Sequence, residues 1–383
     1  MSERGGLLLV LPAGAGGGLP ASAPVAGLPV LRRIVLAAER AGFTAVLVAG
    51  LAPADRALLA GTSAVPLSEQ TLPAELPRRI VVVPANIVPQ AAWLARLRER
   101  PVEPDRLHVN DGPIAVLEVE EPGRIVALVA RAATAPEAMT LLAGTLKTAR
   151  GALEADGHRL LRDARDLSAA ESWLLRSLVK PSEGFMSRHF ERRISLALTR
   201  RLVATPITPN AMTLVSLAVG LAGAALFLSP AWQLTAALLF LAHSILDGCD
   251  GELARLKFLE SPQGAVLDFW GDNLVHAAVF TAMAVGWSLH AGAAWPLAVG
   301  AVAVASTAMV AVTVYRRGLL ARAPADAGRS SRLLATLAHR DFIYLIVILA
   351  AAGKAYWFIA FTAVGAPVFL LLLLWSERPA PSP

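Results

Sequence analysis

After residue 206 the chain carries six long apolar runs with almost no charge inside them, at 209–228, 231–248, 267–289, 294–315, 341–356 and 357–375. Each approaches the roughly 20 residues a helix needs to cross the hydrocarbon core of a bilayer; the fifth is short, and its boundary with the sixth falls around Lys354. No water is present in that core to bond backbone amides, so such runs are restricted to helices that satisfy their own hydrogen bonds. The expected architecture of 204–376 is an all-α six-helix transmembrane bundle, followed by a tail at 377–383. An even number of spans puts both flanks on one side. Arginines gather there, at Arg188, Arg192, Arg193, Arg200 and Arg201, at Arg316, Arg317 and Arg322, and at Arg378. The positive-inside rule makes that side the cytoplasm of a cell (inner) membrane.

Residues 1–180 read differently. Short apolar runs such as LLLVL, TAVLVAG, RIVVVPAN and PIAVLEVE alternate with helix-like stretches such as PVLRRIVLAAERAGF, which predicts an N-terminal α/β domain, mainly parallel and Rossmann-like. The run Leu7–Leu11 is shorter than the roughly 7–15 apolar residues of a signal-peptide core, and is expected to be a buried first strand. Between the two parts, 184–203 spaces Phe185, Phe190, Ile194, Leu198 and Leu202 at near-helical intervals with arginines between them. The pattern suits an amphipathic helix lying in the membrane interface, with a surface helix of the soluble domain as the alternative. The net charge of +6 is therefore assigned to membrane flanks and anionic lipid, and no nucleic-acid partner is expected. The single cysteine, Cys249, excludes an intrachain disulfide and a cysteine-based zinc site.

Charge reappears in one place where a membrane bundle can least tolerate it, DGCDGELARLKFLESPQGAVLDFWGD, residues 247–272. At about 100° per residue, Asp247, Asp250, Gly251 and Ala254 share one helical stripe with Arg255 at its edge. Ser261-Pro262 then ends one helix and starts another, and Gly264, Asp268 and Asp272 recur every four residues as a second stripe on a returning helix. Four carboxylates facing one low-dielectric space cannot all stay ionised without cations. Ligands that are all oxygen suit Mg²⁺ or Mn²⁺, and this number can hold two ions about 3.5–4 Å apart. Gly251 and Gly264 would let a bulky ligand approach the backbone, and Arg255 would counter a phosphate. His243 and His276, one turn from Asp247 and Asp272, read as packing residues, and Gly220 and Gly223 as sites of close helix contact.

The pattern Asp247-x2-Asp250-Gly251-x2-Ala254-Arg255-x8-Gly264-x3-Asp268-x3-Asp272 resembles the full signature of the CDP-alcohol phosphotransferases, and the likeness extends over 184–375. It implies that Asp247, Asp250, Asp268 and Asp272 ligate the metals, with Asp272 also the general base. It further implies that Gly251, Ala254 and Gly264 line the cytidine pocket and that Arg255 contacts the diphosphate. Thr208-Pro209-Asn210-x2-Thr213 resembles the opening of that family's first span, where Asn210 and Thr213 shape the nucleotide site; simple helix initiation explains the same residues equally well. Arg316 and Arg317 are candidates for binding an acceptor phosphate or for anchoring topology. The reaction implied is transfer of a substituted phosphate from a CDP-linked donor, CDP-diacylglycerol or CDP-inositol-like, to the hydroxyl of a phosphorylated polyol or other acceptor, with release of CMP. Its setting is phospholipid or inositol-phosphate metabolism, and a homodimer is expected.

The glycine-rich turn Leu11-Pro12-Ala13-Gly14-Ala15-Gly16-Gly17-Gly18 resembles the signature loop of sugar-phosphate nucleotidyltransferases, and Asp166-Leu167-Ser168-Ala169-Ala170-Glu171 an acidic helix start near that family's end. The resemblance fails at the residues that carry the chemistry. Gly18 stands where that family has an Arg, Ala23 where it has a Lys before Pro24, and Ala85-Asn86 where it presents a metal-binding Asp. A degenerate domain is expected. The layout is similar to that of the fused inositol-phosphate cytidylyltransferase/di-inositol-phosphate phosphate synthases. The alternatives to a lone phosphotransferase are a bifunctional enzyme with an active N-terminal domain and a catalytically silent membrane scaffold.

Overall fold

The computed structural model describes residues 5–13, 19–67, 75–109, 112–150, 153, 156–179, 185–320 and 342–375. Gly14 to Gly18 of the glycine turn, Arg322 and Arg378 lie outside the described residues. Contacts divide the chain into two compact units, Met1–Arg176 and Ser177–Pro383.

In the first unit, β1 (Gly6–Leu11) is followed by β2 (Pro24–Val25), β3 (Leu28–Pro29), α1 (Val30–Arg40), β4 (Ala45–Val48), β5 (Ala64–Pro66), β6 (Arg79–Pro84), β7 (Ile87–Pro89) and α2 (Ala91–Glu99). Then come β8 (Arg106–Val109), β9 (Ala115–Glu118), α3 (Pro122–Val129), α4 (Ala135–Thr145), β10 (Lys147–Arg150), β11 (His158–Leu160) and α5 (Ala164–Ser177). The main sheet has the order β10-β8-β9-β6-β1-β4-β5. The expected first strand is β1, buried along its whole length and paired in parallel with β4 and β6. The α/β class is as the sequence predicts, but the sheet is mixed, because β9 runs antiparallel to both β6 and β8. Only residues 110–114 separate β8 from β9, too few for the crossover a parallel pair requires.

A second, two-stranded pairing of β11 with β7 places His158 against Pro89. The imidazole lies 4.5 Å from the Trp93 ring, and its Nδ1 is buried with no hydrogen-bond partner. Burial, with the neighbouring Arg159 adding to it, holds His158 below the usual histidine range. Gly157, at φ +118°, lets the chain pass Trp93: a Cβ there would stand 2.5 Å from the Trp93 Cβ.

The second unit is helical. A π-helical turn, Ser187–Glu191, leads into α6 (Arg192–Leu202), then α7 (Pro209–Leu226), α8 (Gln233–Lys257), α9 (Pro262–Ala291), α10 (Trp295–Leu320), α11 (Phe342–Ala351) and α12 (Trp357–Trp375). Among the described residues five stretches are long and apolar enough to cross a membrane: Pro209–Leu226, Pro230–Lys257, Pro262–Ala291, Trp295–Arg317 and Trp357–Trp375. The fifth apolar run, 341–356, is helical only as α11, ten residues or about 15 Å, which by itself is half the hydrocarbon thickness. Gly353, at φ +68°, and a bond from Lys354 N–H to Leu349 O at 2.7 Å close that helix, so Lys354 lies in the turn before α12. A buried Gln233 holds the same turn by accepting from Ala355 N–H at 2.9 Å.

Helix α7 packs against both α8 and α9. Gly220 makes that approach possible: a Cβ there would meet Val275 Cγ1 at 2.6 Å and His243 Cγ at 2.9 Å, one neighbour on each helix. Gly223 does the same against Leu239 and Ala236. Gly220→Val should therefore cost about 1–3 kcal/mol, read as a lower midpoint of thermal unfolding in detergent. For the first unit the sign of the pH effect is set by His158. Its folded pKa is depressed, so the stability it allows is present above the unfolded value near 6.5 and is lost as pH falls below it. His158→Phe should slow amide exchange in the β7–β11 pair at pH 5.5 relative to wild type, by more than any change at pH 8.

Candidate active site

The turn between α8 and α9 is built by local chemistry. Helix α8 stops at Phe258, which adopts the left-handed conformation (φ 57°), with Leu259 N–H bonded to Ala254 O at 2.9 Å. Helix α9 starts at once: the Ser261 hydroxyl accepts from Gly264 N–H at 3.0 Å, and Pro262 takes the first helical position. Across the way, Thr208 caps α7 by accepting from Ala211 N–H at 3.3 Å, with Pro209 next. Three helix ends therefore converge, and the first turn of α7 faces the space between α8 and α9.

Into that space the two stripes bring their carboxylates. Ligand oxygens of Asp247, Asp250 and Asp268 all lie within 4.8 Å of one another, the first two side chains buried and the third half-buried. Thr213 donates its hydroxyl to Asp250 Oδ2, which orients that carboxylate from the α7 side. Thr208 and Pro209 start α7, and Asn210 and Thr213 of its first turns stand beside the carboxylates. A cavity of about 200 Å³ opens beside the carboxylates, and Asn210, Thr213, Asp250, Gly251, Ala254, Arg255, Gly264 and Asp268 all line it. A Cβ on Gly251 would press on Arg255 Nη1 at 3.2 Å, and one on Gly264 on Asn210 Oδ1 at 3.1 Å, so side chains at either position would fill the cavity's walls.

Asp272 stands one turn beyond Asp268 and is not a member of the close cluster. Two histidines flank it: His243 Nε2 lies 3.5 Å from Oδ1, and His276 Nδ1 3.6 Å from Oδ2. His243 Nδ1 is 2.9 Å from Ser216 O. A carbonyl can only accept, so Nδ1 carries a proton, and Nε2 is the atom turned toward Asp272. The two histidines, which spacing alone makes packing residues, thus also set the surroundings of the fourth aspartate. Phe240 packs its ring on both.

Arg317 is engaged away from this cavity, donating to Leu373 O at 2.6 Å in the last turn of α12, where a cation also suits the helix dipole. Arg316 is exposed on the final turns of α10. Two residues that pattern reading passes over are Glu252, fully buried on α8, and Lys257 at its end; each is a lone charge between signature positions, with no repeat to mark it.

In the first unit the position expected to present a metal-binding acid is used for structure. Asn86 donates Nδ2–H to Leu161 O at 2.7 Å and accepts Leu161 N–H at 2.8 Å through its backbone. Asp166 accepts from Arg162 N–H at 2.7 Å, capping the start of α5. The buried cation nearby, Arg33, spends its guanidinium on the carbonyls of Val25 and Ala26, and burial lowers its pKa to about 10.

The family model for CDP-alcohol phosphatidyltransferase matches residues 206–374. A "Bifunctional IPC transferase and DIPP synthase" of Rubrobacter xylanophilus is 42% identical over 147 residues, 37% of this chain and 33% of that protein. "Inner membrane protein YnjF" of Escherichia coli is 37% identical over 119 residues, 28% of this chain and 57% of that protein. The match thus spans about a third of the first relative and just over half of the second. Among solved structures, phosphatidylinositol phosphate synthase of Mycobacterium tuberculosis with CDP-DAG bound shares 21% identity over 49% of this chain and 99% of that one, with a TM-score of 0.36. Asp247 to Asp272 fall within the matched residues, so the whole carboxylate pattern of this membrane protein lies in the part that is similar to the CDP-alcohol phosphatidyltransferases.

Proposed function

We propose that the helical unit transfers a substituted phosphate group from a CDP-linked donor to an acceptor hydroxyl and releases CMP. The observation that carries the reading is the meeting of Asp247, Asp250 and Asp268 within 4.8 Å beside a cavity lined by Arg255 and two glycines. Oxygen ligands on two helices, held with like charges together, fit a hard divalent cation. Asp247, Asp250 and Asp268, joined by Asp272, would hold Mg²⁺ or Mn²⁺, as two ions. Bound there, the ions would supply charge neutralisation at the diphosphate and the departing CMP.

The chain's own residues do the rest. The cytidine moiety lies against Gly251, Ala254 and Gly264, where nothing larger than a methyl group stands in the way, and Asn210 and Thr213 close the pocket from α7. Arg255 pairs with the diphosphate. Asp272 accepts the acceptor's hydroxyl proton as its oxygen forms a bond to the phosphorus distal to cytidine; the bond from that phosphorus to the CMP oxygen breaks, and CMP leaves. His243 and His276 supply the surroundings of that carboxylate. Arg316, exposed at the end of α10, is the better candidate of the arginine pair for an acceptor phosphate, because Arg317 is bonded to Leu373.

The domain is read as six membrane segments with both flanks and the site on the cytoplasmic side, supported by the exposed Arg193, Arg200 and Arg201 of α6. The active form is read as a homodimer. The α/β unit is read as Rossmann-like but catalytically silent, supported by Gly18, Ala23 and the structural use of Asn86. With no local source of CDP-inositol, CDP-diacylglycerol stands level with a CDP-inositol-like donor, and the acceptor is a phosphorylated polyol or another alcohol.

Purified full-length protein should release CMP in the presence of Mg²⁺ or Mn²⁺ from at least one member of a panel of CDP-activated donors and phosphorylated polyols. Asp272→Asn should lower kcat by about 10²–10⁴-fold, the scale of a lost general base. Failure of every donor, or undiminished release by Asp272→Asn, would sink the mechanism. Mixed with CTP and an inositol phosphate, the same protein should yield no pyrophosphate; its appearance would restore the bifunctional reading.

A further inference from the structure

Helix α6 turns its polar side inward. Glu191, Ser195 and Thr199, spaced four apart, are buried, while Phe190 and Ile194 are exposed. The receiver of that stripe is Glu252 of α8, whose side chain is fully buried. Its Oε1 accepts from Arg192 Nη1 and from Ser195 Oγ, each at 2.7 Å, and its Oε2 from Thr199 Oγ1 at 2.6 Å. A carboxylate taken out of water is costly unless donors surround it, and here three do.

Glu252 follows Asp250 by two positions, about 200° around the helix, so it grips α8 from the side opposite the carboxylate stripe. A second hold lies five residues on. Lys257 Nζ donates to Thr205 O at 2.7 Å and Ile207 O at 3.0 Å, the carbonyls just ahead of the Thr208 cap. The segment running from α6 to α7 is thereby bound to α8 at two points on different sides, behind at Glu252 and, at Lys257, seven residues after Asp250, on the side of the carboxylates, where Thr213 of α7 bonds Asp250. None of the proposed chemical steps uses Glu252 or Lys257. What the two charges fix is the rotation of α8 about its own axis. At a side-chain radius of about 5 Å, a turn of about 20° would move a carboxylate oxygen by nearly 2 Å, far more than the roughly 0.2 Å that metal–oxygen distances tolerate.

We infer that Glu252 is a positioning residue: held by Arg192, Ser195 and Thr199 of α6, it keeps Asp247 and Asp250 in register with Asp268. The inference rests on the metal-site reading above. Its test is Mn²⁺ titration of the full-length protein followed by electron paramagnetic resonance, which needs no turnover, with unfolding midpoints measured in parallel. Thr199→Val is isosteric and removes one donor; Thr199→Ser keeps it. Thr199→Val should weaken Mn²⁺ binding by about 10-fold, and Glu252→Gln by at least as much, the scale for loss of a ligand's supporting partner, whereas Thr199→Ser should bind as the wild type does. Wild-type affinity in both Thr199→Val and Glu252→Gln, even with a lowered unfolding midpoint, would overturn the positioning role and leave the metal site standing. A wild-type protein that takes up no Mn²⁺ would overturn the metal site and this inference together.

Discussion

Repulsion among carboxylates is the constraint on which the helical unit turns. Two like charges at 4.8 Å oppose each other by about 3 kcal/mol at an effective dielectric of 20, and Asp247, Asp250 and Asp268 form three such pairs. A helix pair free to relax would rotate its aspartates apart. The surrounding features act against that relaxation: the abrupt stop at Phe258 and start at Ser261, the hydroxyl of Thr213 on Asp250, and the buried Glu252 behind α8. Gly220 and Gly223 belong to the same account, because they let α7 come near enough to deliver Thr213.

The carboxylate site was largely legible because helical periodicity converts sequence spacing into shared faces. Asp247 with Asp250, and Gly264 with Asp268, needed only about 100° per residue and a Ser-Pro break. What stayed hidden are interactions whose partners lie far off in sequence. Glu252 finds its donors between 53 and 60 positions earlier, and no periodic signal marks a pairing of that kind. Helix α6 shows a different limit. Its apolar stripe of Phe185, Phe190 and Ile194 is real and points outward, yet the face that decides its place is the polar one, which buries against α8. Strand direction in the first unit was illegible for another reason: an apolar run reports burial, and β9, antiparallel to both its neighbours, is as apolar as β1 and β4, which pair in parallel.

The two units also show how unevenly likeness translates into chemistry. In the first, Asn86 and Asp166 are absorbed into hydrogen bonds that hold β11 and α5. In the second, the outline is ordinary membrane helix, and the informative part is a set of carboxylates gathered within 4.8 Å of one another. Polar groups satisfied within the fold and like charges gathered at one point are opposite conditions, and one chain contains both.

Helices α8 and α9 run for 25 and 30 residues, about 37 and 45 Å, against a hydrocarbon layer of about 30 Å. Asp250 lies seven residues before the end of α8, and Asp268 six after the start of α9. With the excess length on that end, the proposed site would stand toward the edge of the oily layer rather than at its middle. A water-soluble nucleotide can leave such a place without crossing lipid, and a greasy tail can stay in the bilayer while its head reacts. Reach alone therefore imposes no choice between a lipid and a polar partner; that choice is left to the shape of the walls.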